Sequence, residues 1–408
     1  MIGTPPDVDR SGRLGFVPAR YGAGVVGGAE AALGEIAHGL AARGWDVEVL
    51  TTCARDHFSW ANEFSVGVEN DGGVTVRRFP AVVSTSRRER AAVNAAIVAR
   101  QPVDIDAQMR WMNDDVRVPA LFDHILEEGD AYRALVFAPY LFWPAYACGQ
   151  LEPKRSILMP CLHDEPEAHL EIFQDLFSSV RGVWFLSEPE CDLARRIIPG
   201  LAPSEVVGSG VHVPDRYDPD GFRRAHGIDG PFLLYAGRRE GGKNWERLLA
   251  GFAAAVERNP SLPLSLVTIG SGPVHAPAAI ARRVVDLGFL PDAERDNAFA
   301  AAVAYIQPSV NESFSRTMME AWLAGTLVIA NGGGAVNRWH CEHSGAGLLY
   351  DDDFELEQCL SFVALAPETA RELAARGRAY ALDHASWPSV LDRIEKTLEA
   401  WTPAAGRP

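Results

Sequence analysis

Short β-rich runs alternate with segments of helical apolar period along most of this 408-residue chain, and that alternation most narrows the folds open to it. Strands that alternate with helices pair side by side in parallel sheets, because parallel neighbours need a crossover that a helix fills. The first unit of the pattern is a strand at Leu14–Pro18, a glycine-rich loop over residues 22–28, and a helix from Glu30 to Arg43. That helix sets Leu33, Ile36, Ala37 and Leu40 on one face and stops at Gly44. Further strands are expected at Val47–Thr51, Val74–Phe79, Leu135–Ala138, Ser156–Met159 and Val183–Ser187. At about 150 residues per domain the length suits two domains or three small ones, and a second series of the same kind begins after Val211-His212-Val213-Pro214. Pro214, Asp215, Pro219, Asp220 and Gly221 mark a linker there. Beyond it, strands are expected at Phe232–Ala236, Leu264–Ile269, Val303–Gln307 and Leu327–Ala330, with helices at Trp245–Arg258, Ala293–Ala302 and Arg316–Ala324.

The alternation breaks between Ser84 and Asp130, a mostly helical insertion bearing Arg87, Arg88, Arg90, Arg100, Trp111 and Met112. Two readings stand: contact with an acceptor or a membrane surface, or a solvated helical face with one apolar side. The basic run is short and interrupted by Glu89, which favours the second. The last apolar-periodic segment, Val390–Trp401, can fold back over the first domain.

Composition removes several function classes. The balance of 38 basic and 54 acidic residues gives a formal charge of −16, which repels a phosphate backbone at long range, so no nucleic-acid partner is expected. A local basic pocket for one small anion remains open. The six cysteines are scattered without a C-x-x-C pair and read as buried thiols of a reducing compartment. The opening residues lack the apolar core of a signal peptide, and no run reaches the roughly 20 apolar residues of a membrane span. A cytoplasmic location follows by elimination.

In doubly wound sheets, ligands bind beyond the carboxyl ends of strands, so the loops there carry the chemistry. The loop over residues 22–28 lets backbone approach a ligand at a helix start, yet it matches neither a dinucleotide fingerprint nor a P-loop; a tight strand-to-helix turn reads equally well. In Gly237-Arg238-Arg239-Glu240-Gly241-Gly242-Lys243-Asn244, Arg238 and Lys243 flank a flexible glycine pair at a helix entrance. Two cations so placed can neutralise a departing diphosphate without a metal, and the competing reading is a surface loop with solvated charges. In the stretch Asn311–Glu320, Glu312 precedes a helix that Ser313 or Ser315 caps, and Glu320 sits on its second turn. Carboxylates suit vicinal diols, and the backbone over residues 315–317 adds an anion site at the helix start.

With Gly27-Gly28-Ala29-Glu30, the Gly237–Asn244 loop, the spaced pair Glu312 and Glu320, and Gly345–Leu349, the chain resembles a family-4 retaining glycosyltransferase of the GT-B fold. That resemblance implies an α/β chain of two Rossmann-like doubly wound domains facing each other across a cleft. The first would cover residues 1–212, joined by residues 387–408, and the second, residues 213–386, would bind a nucleotide-sugar donor. It further implies that Arg238 and Lys243 hold the donor diphosphate and that Glu320 holds the ribose. Glu312 and the backbone of Ser313, Phe314, Ser315 and Arg316 would take the transferred sugar. The base would lie near Gly288, Phe289 and Leu290, with Gly237 beside the donor. Gly27 and Gly28 would approach the phosphates, and His163 would stand beside the donor sugar. No cofactor or metal is implied, only a nucleoside-diphosphate sugar and a hydroxyl acceptor: a glycan, a lipid-linked sugar or a small glycoside. Asn337 and Arg338 stand where the family often has an acidic residue. Asp351-Asp352-Asp353 lies too late in the chain for a metal-binding D-x-D and reads as a solvated turn or helix start; Pro166 breaks the metal-ligand register between His163 and His169. The alternatives left open are a sugar phosphorylase or disaccharide synthase of the same fold, or a non-catalytic nucleotide-sugar-binding protein.

Overall fold

A computed structural model describes residues 8–25, 27–84 and 87–402. The chain divides into two compact units, residues 1–208 with 390–408, and residues 209–389.

The first unit is built on an eight-stranded sheet. Its strands are β1 (Arg13–Pro18), β2 (Asp46–Thr52), β3 (Gly67–Asp71), β4 (Val74–Phe79), β7 (Tyr132–Ala138), β8 (Ser156–Leu158), β9 (Gly182–Phe185) and β10 (Ser204–Val206), while β5 (Val82–Val83) and β6 (Val116–Arg117) form a separate antiparallel ribbon. The order β10-β9-β8-β7-β1-β2-β4-β3 is parallel except at β3, which hairpins back onto β4. The sequence pattern misses β3, whose side chains are all exposed and so lack an apolar face. Its turn is Asp71-Gly72-Gly73, with φ of +58° and +94° at the glycines, the backbone a two-residue hairpin loop requires. Helix α1 (Gly28–Ala42) follows β1 and buries Leu33, Ile36, Ala37 and Leu40. The insertion folds as α2 (Arg87–Val98), α3 (Ile105–Asn113) and α4 (Pro119–Glu128), and α5 (Glu171–Ser179) and α6 (Glu188–Ile197) complete the unit. Trp111 and Met112 are core residues, not surface contacts. Arg90 pairs with Asp115 at 3.1 Å and lies over the Trp111 ring, whereas the side chains of Arg87 and Arg88 lie outside the described residues.

The second unit holds a wholly parallel six-stranded sheet of β11 (Phe232–Ala236), β12 (Ser265–Ile269), β13 (Val284–Asp286), β14 (Ala304–Gln307), β15 (Leu327–Asn331) and β16 (Leu348–Tyr350). Its order, β13-β12-β11-β14-β15-β16, reverses direction between β11 and β14, the switch point at which doubly wound sheets bind ligands. The expected linker at Pro219-Asp220-Gly221 is instead the start of α7 (Pro219–His226). Asp218 caps it by accepting from the Gly221 amide at 2.8 Å, and Pro219 fills the first-turn position that tolerates proline. The remaining helices are α8 (Trp245–Arg258), α9 (Asp292–Ala301), α10 (Arg316–Leu323), α11 (Ala335–Ser344), α12 (Asp353–Leu365) and α13 (Pro367–His384).

Helix α14 (Trp387–Trp401) carries the chain from Val390 onward back into the first unit. There the buried Glu395 carboxylate accepts from Trp45 Nε1 at 2.9 Å and pairs with Arg10 and Arg43 at 2.9 and 2.6 Å. Gly39 and Gly182 make room for Leu391 and Trp401; a Cβ at either would fall within 2.8 Å of those side chains. All six cysteines are free and buried.

Candidate functional site

The loops that leave β11 and β14 flank the switch point of the second unit, and they carry Arg238, Lys243 and Glu312. The first of them is stitched to its neighbours through backbone. Gly237 donates to Ile269 O at 3.0 Å, Arg239 to Ser271 O at 2.8 Å, and Gly270 to Gly288 O at 2.7 Å. Gly270 permits this close approach: at φ +124° its missing Cβ would lie 2.1 Å from Gly237 O. Asn244, left-handed at φ +54°, ends the loop and donates to Pro308 O at 3.0 Å, which ties the β11 and β14 loops together.

Across this junction, Lys243 Nζ lies 2.7 Å from Glu312 Oε1, with both side chains partly exposed. Arg238 is 47% exposed and pairs with Glu240 at 3.2 Å. The Tyr235 hydroxyl donates to Arg238 O at 2.6 Å. Burial pushes that phenol above its ordinary pKa; the Glu312 charge adds to the rise, and Arg239 and Arg238 oppose it. Arg238 O thus holds the buried Tyr235 hydroxyl, and Lys243 joins the cluster through Glu312. Arg239 has a different part: its buried guanidinium donates to Gly272 O and Thr268 Oγ1 and pairs with Asp286 at 3.2 Å, so it braces the loops.

Ser315 stands at the N-cap of α10 as expected, yet at φ +61° its hydroxyl caps nothing and accepts from Gln307 Nε2 at 2.8 Å. The cap expectation fails because the left-handed backbone turns the side chain toward β14. Phe314 is buried against His340, and the Tyr305 hydroxyl donates to Thr317 Oγ1 at 2.7 Å. Glu320, on α10, lies 3.8 Å from Arg295 Nη2. Burial holds Tyr305 far above its usual pKa, and the charges of Glu312 and Glu320 both add to the shift. Ser313 and Arg316 complete this stretch. Next to Gly270, Phe289 projects at 75% exposure while Leu290 is buried. Asn337, at the position where an acid was expected, is fully buried and donates to Ser309 O at 2.7 Å. Arg338 pairs with Asp351 at 2.9 Å. Asp352 caps α12, as its reading as a helix start required.

His163, Gly27 and Gly28 belong to the first unit. His163 follows β8 and lies 3.6 Å from Glu165. Its loop is pinned by Glu190, a residue the sequence reading passed over. One Glu190 oxygen accepts from the Leu162 amide at 2.6 Å and the other from Leu186 at 2.5 Å. Burial pushes this carboxyl up to about 7, against those amides and the nearby His163. Beside Gly27 the space is filled: a Cβ there would sit 2.1 Å from Glu30 Oε2, and Glu30 pairs with the buried Arg20. Gly28 has open space. His169 pairs with Asp164 at 2.8 Å, and among the described residues no group of three or more His, Cys, Asp or Glu is placed to hold a metal.

Residues 230–362, most of the second unit, match the family described as Glycosyl transferases group 1. The chain is similar to sucrose-phosphate synthase from Thermosynechococcus elongatus with a TM-score of 0.74, covering 97% of this chain and 100% of that one at 17% identity. The fold is GT-B. Anabaena HepE in complex with UDP-glucose gives a TM-score of 0.69 at 17% identity, covering 95% and 99% of the two chains. A D-inositol 3-phosphate glycosyltransferase from Saccharomonospora viridis is 33% identical over 190 residues, which are 42% of this chain and 44% of that one. The chain thus spans less than half the length of that curated relative. The family match lies within the second unit, and the structural likenesses, each at 17% identity, show the fold. Among the described residues no helix is long and apolar enough to cross a membrane.

Proposed function

We propose that this GT-B chain is a metal-independent, retaining family-4 glycosyltransferase that moves a glycosyl group from a nucleoside-diphosphate sugar to a hydroxyl. The observation that carries the reading is the Lys243–Glu312 contact at the switch point, with Arg238 on the same loop. A diphosphate entering there meets two cations and the start of α10, which together supply the charge that a metal would otherwise provide. Glu312 then turns from its lysine partner to the sugar hydroxyls, and Glu320 takes the ribose diol. Phe289, exposed beside Gly288, offers an apolar face to the base.

The chemistry is orientation and charge stabilisation rather than covalent catalysis. The glycosidic bond to phosphate breaks, the sugar passes through a short-lived oxocarbenium-like pair, and the acceptor oxygen attacks from the face that the phosphate leaves. That phosphate takes the acceptor proton. UDP-glucose, bound in the HepE complex, is the first donor to try, and D-inositol 3-phosphate, named in the S. viridis relative, the first acceptor to try.

The test is a thermal-shift panel of uridine, guanosine and adenosine diphosphates and their sugars, followed by a transfer assay with the best donor. One nucleotide raising the melting temperature, with glycosyl transfer of retained configuration, supports the reading. No shift with any nucleotide would end it. Transfer to inorganic phosphate or a free sugar identifies a phosphorylase or disaccharide synthase, and binding without turnover a non-catalytic protein.

A further inference from the structure

The loop carrying Ser313, Phe314 and Ser315 is held from behind by two side chains that the proposed reaction does not use. His340, on α11 and 2% exposed, places Nε2 3.0 Å from Phe314 O and Nδ1 2.9 Å from the Tyr380 hydroxyl. A carbonyl oxygen only accepts, so Nε2 carries the ring proton and the tyrosine hydroxyl donates to Nδ1. Burial lowers the pKa of this imidazole to about 3, which keeps it neutral with that tautomer at working pH. Both partners are packed in place: Phe314 meets His340 edge-on at 5.4 Å, and Tyr380 meets Trp322 edge-on at 5.7 Å.

Peptide geometry gives this latch a consequence. In a trans peptide the carbonyl and the following N–H point to opposite sides of the chain. Holding Phe314 O toward His340 therefore aims the Ser315 amide away from α11. Among the described residues no backbone oxygen accepts from that amide, and Ser315 sits at the N-cap of α10. We propose that His340, with Tyr380 selecting its tautomer, is a positioning residue that aims the Ser315 amide at the anionic part of the donor. The inference rests on the donor reading of this loop, and it adds a residue pair that touches no substrate.

The experiment titrates uridine, guanosine and adenosine diphosphate into the wild-type protein and carries the tightest binder to variants, well below their melting temperatures. His340→Ala is expected to weaken that diphosphate about tenfold, the loss of one well-aimed hydrogen bond. His340→Gln, whose side-chain amide can donate to the same carbonyl, restores most of the affinity. Tyr380→Phe keeps the ring packing but frees the tautomer, and is expected to weaken binding about threefold. Unchanged affinity in His340→Ala and Tyr380→Phe, with only the melting temperature lowered, would overturn the inference while leaving the donor reading intact. Where His340→Ala does not fold, Tyr380→Phe decides, and unchanged affinity there overturns the inference. A wild-type protein that binds none of the three removes the donor reading and this inference together.

Discussion

In chain order the sheet of each unit starts with a strand, a glycine-containing loop and a helix, and each loop carries a Lys or Arg paired with a Glu, yet the two pairs are built for different ends. In the first unit Arg20 and Glu30 are 5% and 6% exposed and fill the space beside Gly27. In the second, Lys243 and Glu312 are 29% and 15% exposed, and the loop's two other glycines, Gly241 and Gly242, have nothing within 4 Å. A closed pair holds a turn; an open pair can exchange its partner for a ligand. Glycines at a helix entrance therefore do not by themselves mark a phosphate site: what occupies the room they leave decides.

The largest effect that would sharpen this contrast is on stability. Arg20→Ala strands a buried carboxylate and is expected to cost about 3–5 kcal/mol of folding free energy, read by denaturant titration. Lys243→Ala is expected to leave the melting temperature near that of the wild type and to lower turnover at saturating donor about 100- to 1,000-fold, more than it weakens donor binding. A raised donor requirement with unchanged turnover would break the contrast, since the lysine would then only bind. Acid sensitivity comes next. His340 titrates near 6.5 when unfolded and at about 3 when folded, so between those values the unfolded state binds the extra proton. Its stabilising contribution is complete above pH 6.5 and falls by about 1.4 kcal/mol for each pH unit below it, and His340→Gln should flatten that slope in pH-dependent denaturation. The smallest effect separates the two glycines of the first loop. Gly27→Ala meets the Glu30 carboxylate and should cost about 1–2 kcal/mol, whereas Gly28→Ala, facing open space, should change stability by no more than about 0.5 kcal/mol.

The strands of both sheets were legible where they are buried on both faces, as in β7, β11 and β15, because an apolar run bounded by turn residues is a strong local signal. β3 and β10 were not, since neither has a wholly buried face. Proline, aspartate and glycine at residues 218–221 mark a helix start as well as they mark a linker, and only the Asp218 cap separates the two. Within the site, Arg238, Lys243, Glu312 and Glu320 were readable because they follow strands and bear charge. Their bracing was not: nothing in the sequence separates Arg239 from the cations beside it, while Glu190 and His340 act through backbone amides and carbonyls whose neighbours are set only by the fold. Gly270-Ser271-Gly272, which lets the loops close on each other, was a signal present in the sequence and passed over.

The central claim is that the open cation–carboxylate pair at the switch point serves a departing diphosphate. Its most direct measurement is the single-turnover transfer rate of Lys243→Ala against wild type, with donor dissociation constants determined on the same preparations. The account predicts a rate that falls far more than affinity does. Equal rates in the two proteins once the donor is saturating would contradict it.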